Sequence, residues 1–511
     1  MILILDFGSQ YTELIARRIR ELNVYSEVLP HTTSADIIKT KECHGIILSG
    51  GPSSVDDDGA PSIDEAIFSL SIPILGICYG MQLIAKTLGG HVMASSTREY
   101  GASSLEINEQ SSLFNNVPKA INIWMSHSDS VRQVPDGFQP VASTTTCQIA
   151  SFEHNEKQIY GIQFHPEVSH TDYGKDILKN FVISICKTPQ NWTSETFVER
   201  SVERIREQVG TKNVLCALSG GVDSAVVAAL MHKAIGDQLT CMFIDTGYMR
   251  INEGKRIKDI FEDQFNMELI YVNAQDDFFG MLDGVSEPEK KRKIIGNEFI
   301  RVFEREVNNL NKPIPYLAQG TLYPDVIESA KFGVAATAHT IKTHHNVGGL
   351  PEDMDFTIIE PLKMLFKDEV RQVGVSLGLS EDIVYRHPFP GPGLAIRILG
   401  EPTRERTQML QKADAIVLEE VKRAGLYRSI WQAFAVLLPV KSVGVMGDQR
   451  TYQFTCAIRC VTSDDAMTAK WAHIPYDVLE TMSSRIINEV DGINRVVYDI
   501  SSKPPATIEW E

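Results

Sequence analysis

Short apolar runs alternate with helix-period stretches through the first part of the chain. Ile2 to Leu5, Gly45 to Leu48, Ile74 to Leu75 and Gln158 to Phe164 predict strands, while Tyr11 to Glu21 and Gly80 to Leu88 predict helices. Such alternation specifies a mostly parallel α/β sheet. Ligands of that fold gather beyond the carboxyl ends of the strands, so the residues that follow each strand are where chemistry is expected.

The pattern changes twice further on. Thr188-Pro189-Gln190-Asn191 breaks it first. Thr196 to Gln208 then predicts an amphipathic helix. A second α/β run follows: strand Val214 to Leu218, helix Ser224 to Lys233, strands Leu239 to Ile244 and Glu268 to Val272. The second change is Arg386-His387-Pro388-Phe389-Pro390-Gly391-Pro392-Gly393, whose prolines and glycines cannot continue a helix or a central strand. Beyond it, helices at Thr403 to Arg423 and Tyr476 to Val490 mix with strands at Thr451 to Cys460 and Arg495 to Ile500. The expected fold class is α/β. Two α/β domains with mostly parallel sheets, residues 1–187 and 190–386, precede a C-terminal α+β domain, residues 387–511. A length of 511 residues agrees with about three domains.

Composition narrows the function classes. The formal charge of −17, from 49 basic and 66 acidic residues, is a poor match for a nucleic-acid backbone, so no nucleic-acid partner is expected. A few local cations and backbone N–H groups would still hold a small phosphorylated ligand. No run of apolar residues is long enough for a membrane span, and the apolar start Met1 to Leu5 is too short for a signal peptide. The eight Cys are irregularly spaced, as in a chain of reduced cytoplasmic thiols. Cys456 and Cys460 lack a second Cys or His pair at zinc-site spacing, and no prosthetic group is expected.

One of those Cys stands apart. The strand at Ile74-Leu75 runs into Gly76-Ile77-Cys78-Tyr79-Gly80 and then a helix, the glycine-flanked turn of a nucleophile elbow with Cys in place of Ser. A helix N-terminus beside the sulfur favours its anionic form, and nearby backbone N–H groups can hold an oxyanion. A thiol nucleophile needs a base, and the base an orienting partner. His165 and Glu167, just past the strand Gln158 to Phe164, fit those roles. Gly50 and Gly51, after the strand ending at Leu48, are candidate oxyanion donors. A lone Gly-flanked Cys is more often a small buried residue, and a lone His-x-Glu a solvated loop; their placement at matching strand ends favours catalysis.

The second α/β run has its own landmark. Strand Val214 to Leu218 leads into Ser219-Gly220-Gly221-Val222-Asp223-Ser224 and a helix, so several N–H groups face outward at a helix start, as for an anion. No Gly-Lys-Ser/Thr follows, so this is not a Walker A loop. Asp223 would repel phosphate unless Mg²⁺ bridges them, which predicts ATP with Mg²⁺ at this loop. The plain alternative is a capped Gly-Gly turn. Lys367 is a candidate to neutralise a pyrophosphate leaving group, against the alternative of a solvated helix Lys.

These segments resemble known families. Gly76-Ile77-Cys78-Tyr79-Gly80-Met81-Gln82 and His165-Pro166-Glu167 resemble class I glutamine amidotransferases over roughly Met1 to Lys187. The resemblance implies attack of Cys78 on a glutamine amide, with Tyr79, Gln82 and the segment Ser126-His127-Ser128-Asp129 (Ser126, His127 and Asp129 in particular) holding glutamine. The loop 219–224 resembles the PP-loop of ATP pyrophosphatases, which cleave ATP to AMP and pyrophosphate. The segments at 319–329, 342–351, 387–394 and 501–511 resemble the GMP synthetase family. That likeness implies a ligase that adenylates xanthosine monophosphate (XMP) and aminates it with ammonia from glutamine. It also implies a homodimer built by the C-terminal domain, and an XMP site drawn from Arg292, Gln432, Asp448, Arg450, Lys503 and Glu509. Residues 342–351 read as a lid; His339, His344 and His345 do not complete a metal-ligand spacing.

Overall fold

The computed structural model describes residues 1–310, 312–331, 356–446, 448–463 and 468–511. The lid segment 342–351 and His339, His344 and His345 lie outside the described residues. Contacts divide the chain into two units, Met1–Thr196 and Phe197–Glu511.

The described residues of the first unit form a nine-stranded sheet. Its strands are β1 (Ile2–Asp6), β2 (Ser26–Pro30), β3 (Gly45–Leu48), β4 (Ile74–Ile77), β5 (His91–Ile107), β6 (Ala120–Gln133), β7 (Gln139–Ser143), β8 (Ser151–His154) and β9 (Ile159–Ile162). Helices α1 (Thr12–Arg20), α2 (Ala35–Lys39), α3 (Tyr79–Thr87) and α4 (Gly174–Lys179) accompany it. The order is β2-β1-β3-β4-β9-β8-β7-β5-β6. Strands β2 to β9 of that path pair in parallel, and the remaining strands extend the sheet antiparallel. The parallel strands are apolar runs because both faces are covered: β1, β3, β4 and β9 are buried almost throughout. Helix α3 is buried along most of its length, from Tyr79 to Ala85, so it lies within the core rather than over it. Chain order reverses between β1 and β3, which makes their carboxyl ends the switch point where such sheets bind ligands.

Helix α5 (Ser194–Val209) spans the division between the units. The second unit contains a five-stranded parallel sheet of β10 (Val214–Leu218), β11 (Leu239–Asp245), β12 (Glu268–Asn273), β13 (Tyr316–Ala318) and β14 (Thr357–Ile359), ordered β12-β11-β10-β13-β14. Around it run α6 (Val222–Ile235), α7 (Glu253–Lys258), α8 (Gln275–Met281), α9 (Pro288–Asn309), α10 (Tyr323–Lys331), α11 (Lys367–Ser376) and α12 (Glu381–Val384). Here the switch point lies between β10 and β13. Helix α13 (Arg404–Arg423), strands β15 (Gln432–Met446), β16 (Gln449–Thr462) and β17 (Lys470–Trp471), helix α14 (Tyr476–Glu489) and strand β18 (Ile493–Tyr498) follow. The strands make an antiparallel β15-β16-β17 sheet, with β18 parallel to β16, and α13 and α14 share a core with it. The α/β, α/β, α+β class expected from the pattern is the one found.

Candidate functional site

In the first unit, residues that follow four parallel strands meet. Cys78 follows β4 directly, with φ 52° and ψ −107°, and α3 starts at the next residue. Positive φ is costly for a residue with a Cβ, and the turn is held by its surroundings. The Cys78 N–H donates to the Ile162 carbonyl of β9 at 2.8 Å, and the Gly80 N–H to the Ser49 carbonyl at 3.1 Å. A Cβ on Gly80 would press into the backbone carbonyl of Leu48, so only glycine lets α3 approach β3 this closely. The Cys78 thiol lies 3.6 Å from the Ser126 carbonyl oxygen, to which it can donate.

His165, beyond β9, is buried and lies 2.7 Å through Nδ1 from Glu167 Oε1. Thr171 Oγ1 donates to the His165 carbonyl at 2.6 Å, and the Tyr11 ring packs edge-on at 5.0 Å. Burial opposes a charged His165. Glu167 and a hydrogen bond with the Cys78 side chain outweigh it and hold the imidazole well above its ordinary value. The arrangement is a thiol beside an imidazole whose charged form is favoured by a buried carboxylate that orients it. It can deliver a proton to a leaving amine.

Gly50 and Gly51 lie at the switch point after β3. A Cβ on Gly50 would sit 3.2 Å from the His165 ring, and one on Gly51 2.9 Å from the Phe7 carbonyl oxygen. A cavity of about 360 Å³ opens here, with Gly51, Cys78, Tyr79, Gln82, Ser126, His127, Asp129 and His165 among its lining residues. Gln82 is buried and donates to the Asp129 carbonyl at 2.8 Å. His127 Nδ1 lies 2.9 Å from the same carbonyl oxygen, and its Nε2 3.3 Å from Glu99. Burial lowers the His127 pKa despite Glu99. Gly8, Ser9, Gln10 and Tyr11 also line the cavity, as does Tyr100. The sequence reading did not single them out. Residues 8–11 follow β1 at the switch point, so the strand-end rule was a signal for them. Glu99 and Tyr100 come into place only through the pairing of β5 with β6.

In the second unit, the loop 219–224 joins β10 to α6 at the switch point. Gly220 has φ 76°. The Gly221 N–H donates to Ser219 Oγ at 3.3 Å, and Ser224 Oγ donates to the Gly221 carbonyl at 3.1 Å. Val222 is the first residue of α6, so the helix N-terminus opens at the loop. Lys367 Nζ, at the start of α11, donates to both oxygens of Asp223, at 2.7 and 2.6 Å. Gly320, just past β13, packs against Asp223 from the other side of the switch point. Two residues the sequence reading passed over also grip the loop. Arg386 Nη1 donates to the Gly220 carbonyl at 2.6 Å, and Arg386 forms a buried two-point ion pair with Glu253.

Of the six residues tied to XMP by likeness, Gln432 and Glu509 meet and the others are dispersed. Gln432, at the start of β15, donates to Glu509 at 2.8 Å, and Arg397 holds Glu509 through two bonds of 3.0 and 2.8 Å. Burial would raise the Glu509 pKa, but Arg397 outweighs it and keeps the carboxyl below its usual range. Arg292, on α9, donates to the Glu511 main-chain oxygen. Lys503 pairs through its backbone with Ala469, at 2.8 and 3.0 Å. Asp448 and Arg450 are exposed at the far end of the β15–β16 hairpin. At ~3.3 Å per residue, fourteen steps along β15 put that end roughly 45 Å from Gln432. A single chain does not bring them to the same ligand through this hairpin.

Comparison with known proteins agrees with both units. Residues 3–185 match the family described as glutamine amidotransferase class-I, residues 194–298 that of NAD synthase, and residues 419–510 that of the GMP synthase C terminal domain. The glutamine-hydrolyzing GMP synthase of Bacillus velezensis is 59% identical over 511 residues, covering 100% of this chain and 99% of that protein. The protein of the same name from Brachyspira hyodysenteriae is 57% identical over 510 residues, again 100% and 99%. That from Synechococcus sp. is 58% identical, covering 100% and 96%. The chain belongs to the glutamine-hydrolysing GMP synthase family. Within this family frame, Cys78 and His165 fall in the amidotransferase segment, and the PP-loop falls in the segment shared with NAD synthases.

Proposed function

We propose that the chain hydrolyses glutamine at Cys78 and uses the ammonia to convert XMP, adenylated by ATP, into GMP with release of AMP and pyrophosphate. The observation that carries this reading is the presence in one chain of a Cys78–His165–Glu167 set and a separate Asp223-bearing PP-loop. A sulfur centre alone makes ammonia; the adenylating loop gives it something to displace.

At the first site the Cys78 sulfur, as the thiolate formed when its proton resides on His165, attacks the glutamine amide carbon, and Gly50 and Gly51 face the developing oxyanion. His165 gives its proton to the departing ammonia. It then takes one from the water that cleaves the glutamyl thioester, leaving glutamate. Gln82, Ser126, His127 and Asp129 shape the pocket for the amino acid. At the second site the XMP 2-oxygen attacks the α-phosphorus of ATP and pyrophosphate leaves. Ammonia then adds at the same carbon, AMP departs with the oxygen, and a proton is released. The Ser219-to-Ser224 loop and the α6 N-terminus bind phosphate through N–H and hydroxyl donors.

Mg²⁺ fits this site through Asp223, one carboxylate beside a phosphate cradle, as that ion prefers. Both Asp223 oxygens accept from Lys367, an ammonium standing where cationic charge is needed. When bound, Mg²⁺ would neutralise phosphate charge; Lys367 would then turn to the leaving pyrophosphate.

We read residues 1–187 as the glutaminase, 190–386 as the ATP pyrophosphatase and 387–511 as the dimerisation and XMP-binding part. Val443, Val445 and Tyr452 on the distal hairpin are exposed, an apolar surface suited to a second copy of the chain. In such a homodimer Asp448 and Arg450 would serve a site other than their own chain's Gln432 and Glu509. No helix among the described residues is long and apolar enough to cross a membrane, which accords with a cytoplasmic enzyme.

The test supplies glutamine, ATP, Mg²⁺ and a panel of nucleotides and follows AMP and pyrophosphate. XMP alone should support their stoichiometric formation with GMP. Release of ADP and orthophosphate, or indifference to XMP, would sink the reading.

A further inference from the structure

The second unit buries three arginines around one aromatic ring. The guanidinium carbons of Arg250, Arg397 and Arg386 lie 4.8, 5.3 and 5.9 Å from the centroid of Phe389. The three arginines are 9%, 0% and 7% exposed. Each has a carboxylate partner: Arg386 pairs with buried Glu253, Arg250 with buried Asp414 at 3.1 Å, and Arg397 with half-buried Glu509. The pairs are linked. Arg397 Nη1 approaches the other oxygen of Asp414 at 3.8 Å, and the Glu253 N–H donates to the Arg250 carbonyl at 3.2 Å. The chain of contacts thus runs from the PP-loop carbonyl of Gly220 through Arg386, Glu253, Arg250, Asp414 and Arg397. It ends at Glu509 and Gln432.

Such a cluster is not what stability alone selects. Desolvating a buried ion pair offsets most of its Coulombic gain, and apolar packing of equal volume usually does as well or better. Three of the cluster's nitrogens, Arg250 Nη2, Arg386 Nε and Arg397 Nη1, are buried without a hydrogen bond. Each is a cost that an apolar core would not carry. What the cluster does have is two ends, one on the ATP loop and one on the residues read as holding the acceptor nucleotide. A shift of Glu509 on ligand binding changes the field on Arg397 and Asp414, and through Arg250 and Glu253 the grip of Arg386 on Gly220. A low-dielectric interior transmits that change with little screening.

We propose that Arg250, Asp414 and Arg397 are positioning residues that couple acceptor-nucleotide binding at Glu509 and Gln432 to the geometry of the PP-loop held by Arg386. None of the three needs to touch either substrate. The proposal rests on the function read above, and its test keeps the two apart.

The experiment measures the dissociation constant of α,β-methylene ATP with Mg²⁺, with and without saturating XMP, in the full chain. Wild type should bind the analogue about fivefold or more tightly when XMP is present, the lower range of ordinary site-to-site coupling. Asp414→Asn keeps the side-chain shape and the acceptor for the Ala435 N–H while removing the charge. Arg250→Lys keeps the charge and removes the fork. Both should bring the ratio to about one to two while glutamine hydrolysis is retained. A merely structural role would weaken binding with and without XMP alike and leave the ratio unchanged. That outcome overturns the proposal, as does a wild-type ratio of one in protein that still releases pyrophosphate with XMP. Should Asp414→Asn fail to fold, the Arg250→Lys ratio decides. Absence of pyrophosphate release from wild type with XMP would instead strike at the function reading.

Discussion

Cys78 and His165 show how much single side chains depend on their backbone. The thiol is presented because Cys78 sits at φ 52° between β4 and α3. Replacing it with Ala should abolish glutamine-driven synthesis, by a factor of ~10³ or more, and leave ammonium-driven synthesis within about twofold. Loss of both activities would show that the two chemistries are not separable. The charge on His165 depends on Glu167 at 2.7 Å. Its raised pKa means that the protonated ring contributes stability in full below the ordinary value of 6.5, a contribution that fades as pH rises through the folded value. Glu167→Gln removes the carboxylate charge, so His165 loses its proton at lower pH. The alkaline limb of glutamine hydrolysis should move toward acid, and the loss of melting stability relative to wild type should be largest at low pH and shrink as pH rises. A pH-rate profile and melts across the same range check both; an alkaline limb that stays in place removes Glu167 from the orienting role. Of these residues, Cys78, His165 and Glu167 were legible in the sequence because each follows a recognisable apolar strand. Glu253 and Arg386 were not, since a buried ion pair between residues 133 positions apart leaves no local pattern.

At the scale of elements, the close approach of α3 to β3 sets the elbow. Gly80→Ala forces the helix away from the Leu48 carbonyl, so it should cost roughly 1–3 kcal/mol or more in unfolding free energy. It should also depress glutaminase activity more than pyrophosphate release from ATP with ammonium. Denaturant melts and the two partial assays report this, and an unperturbed glutaminase would mean the elbow tolerates a wider gap. Parallel strands β1, β3 and β10 were readable because burial on both faces demands continuous apolar runs. The β5–β6 hairpin was not readable. Its first strand, His91–Ile107, has four Ser and an interior Gly101, and its register slips between Ala94 and Glu99, so no period of two survives. Yet this hairpin carries Ser126, His127 and Asp129 to the cavity. Helix α9 likewise carries Arg292 on a 22-residue element that begins with Pro288 capped by Glu287, and the charged face obscures its apolar one.

For the whole molecule, the test is division of labour. Asp223→Ala should stop pyrophosphate release with glutamine or ammonium alike and leave basal glutamine hydrolysis in place. A full synthetic rate in that variant would take Asp223 out of the phosphate site. The distal hairpin gives a second test. Val443→Glu with Tyr452→Glu, a directly paired and exposed couple on β15 and β16, should shift the chain from dimer to monomer in sedimentation. A dimer that persists would place the interface elsewhere. The sequence by itself determined the α/β class, the glycine-flanked turn that presents Cys78, and the Gly-Gly turn between β10 and α6, because each is written in contiguous residues whose spacing follows from strand and helix periods. Tertiary structure alone decided that Gln432 and Arg397 share Glu509 while Asp448 and Arg450 stand at the opposite end of a hairpin. It alone decided, too, that three arginines ring Phe389 between the 219–224 loop and Glu509. Those juxtapositions join residues far apart in the chain, and only the path of the folded backbone sets which distant side chains meet.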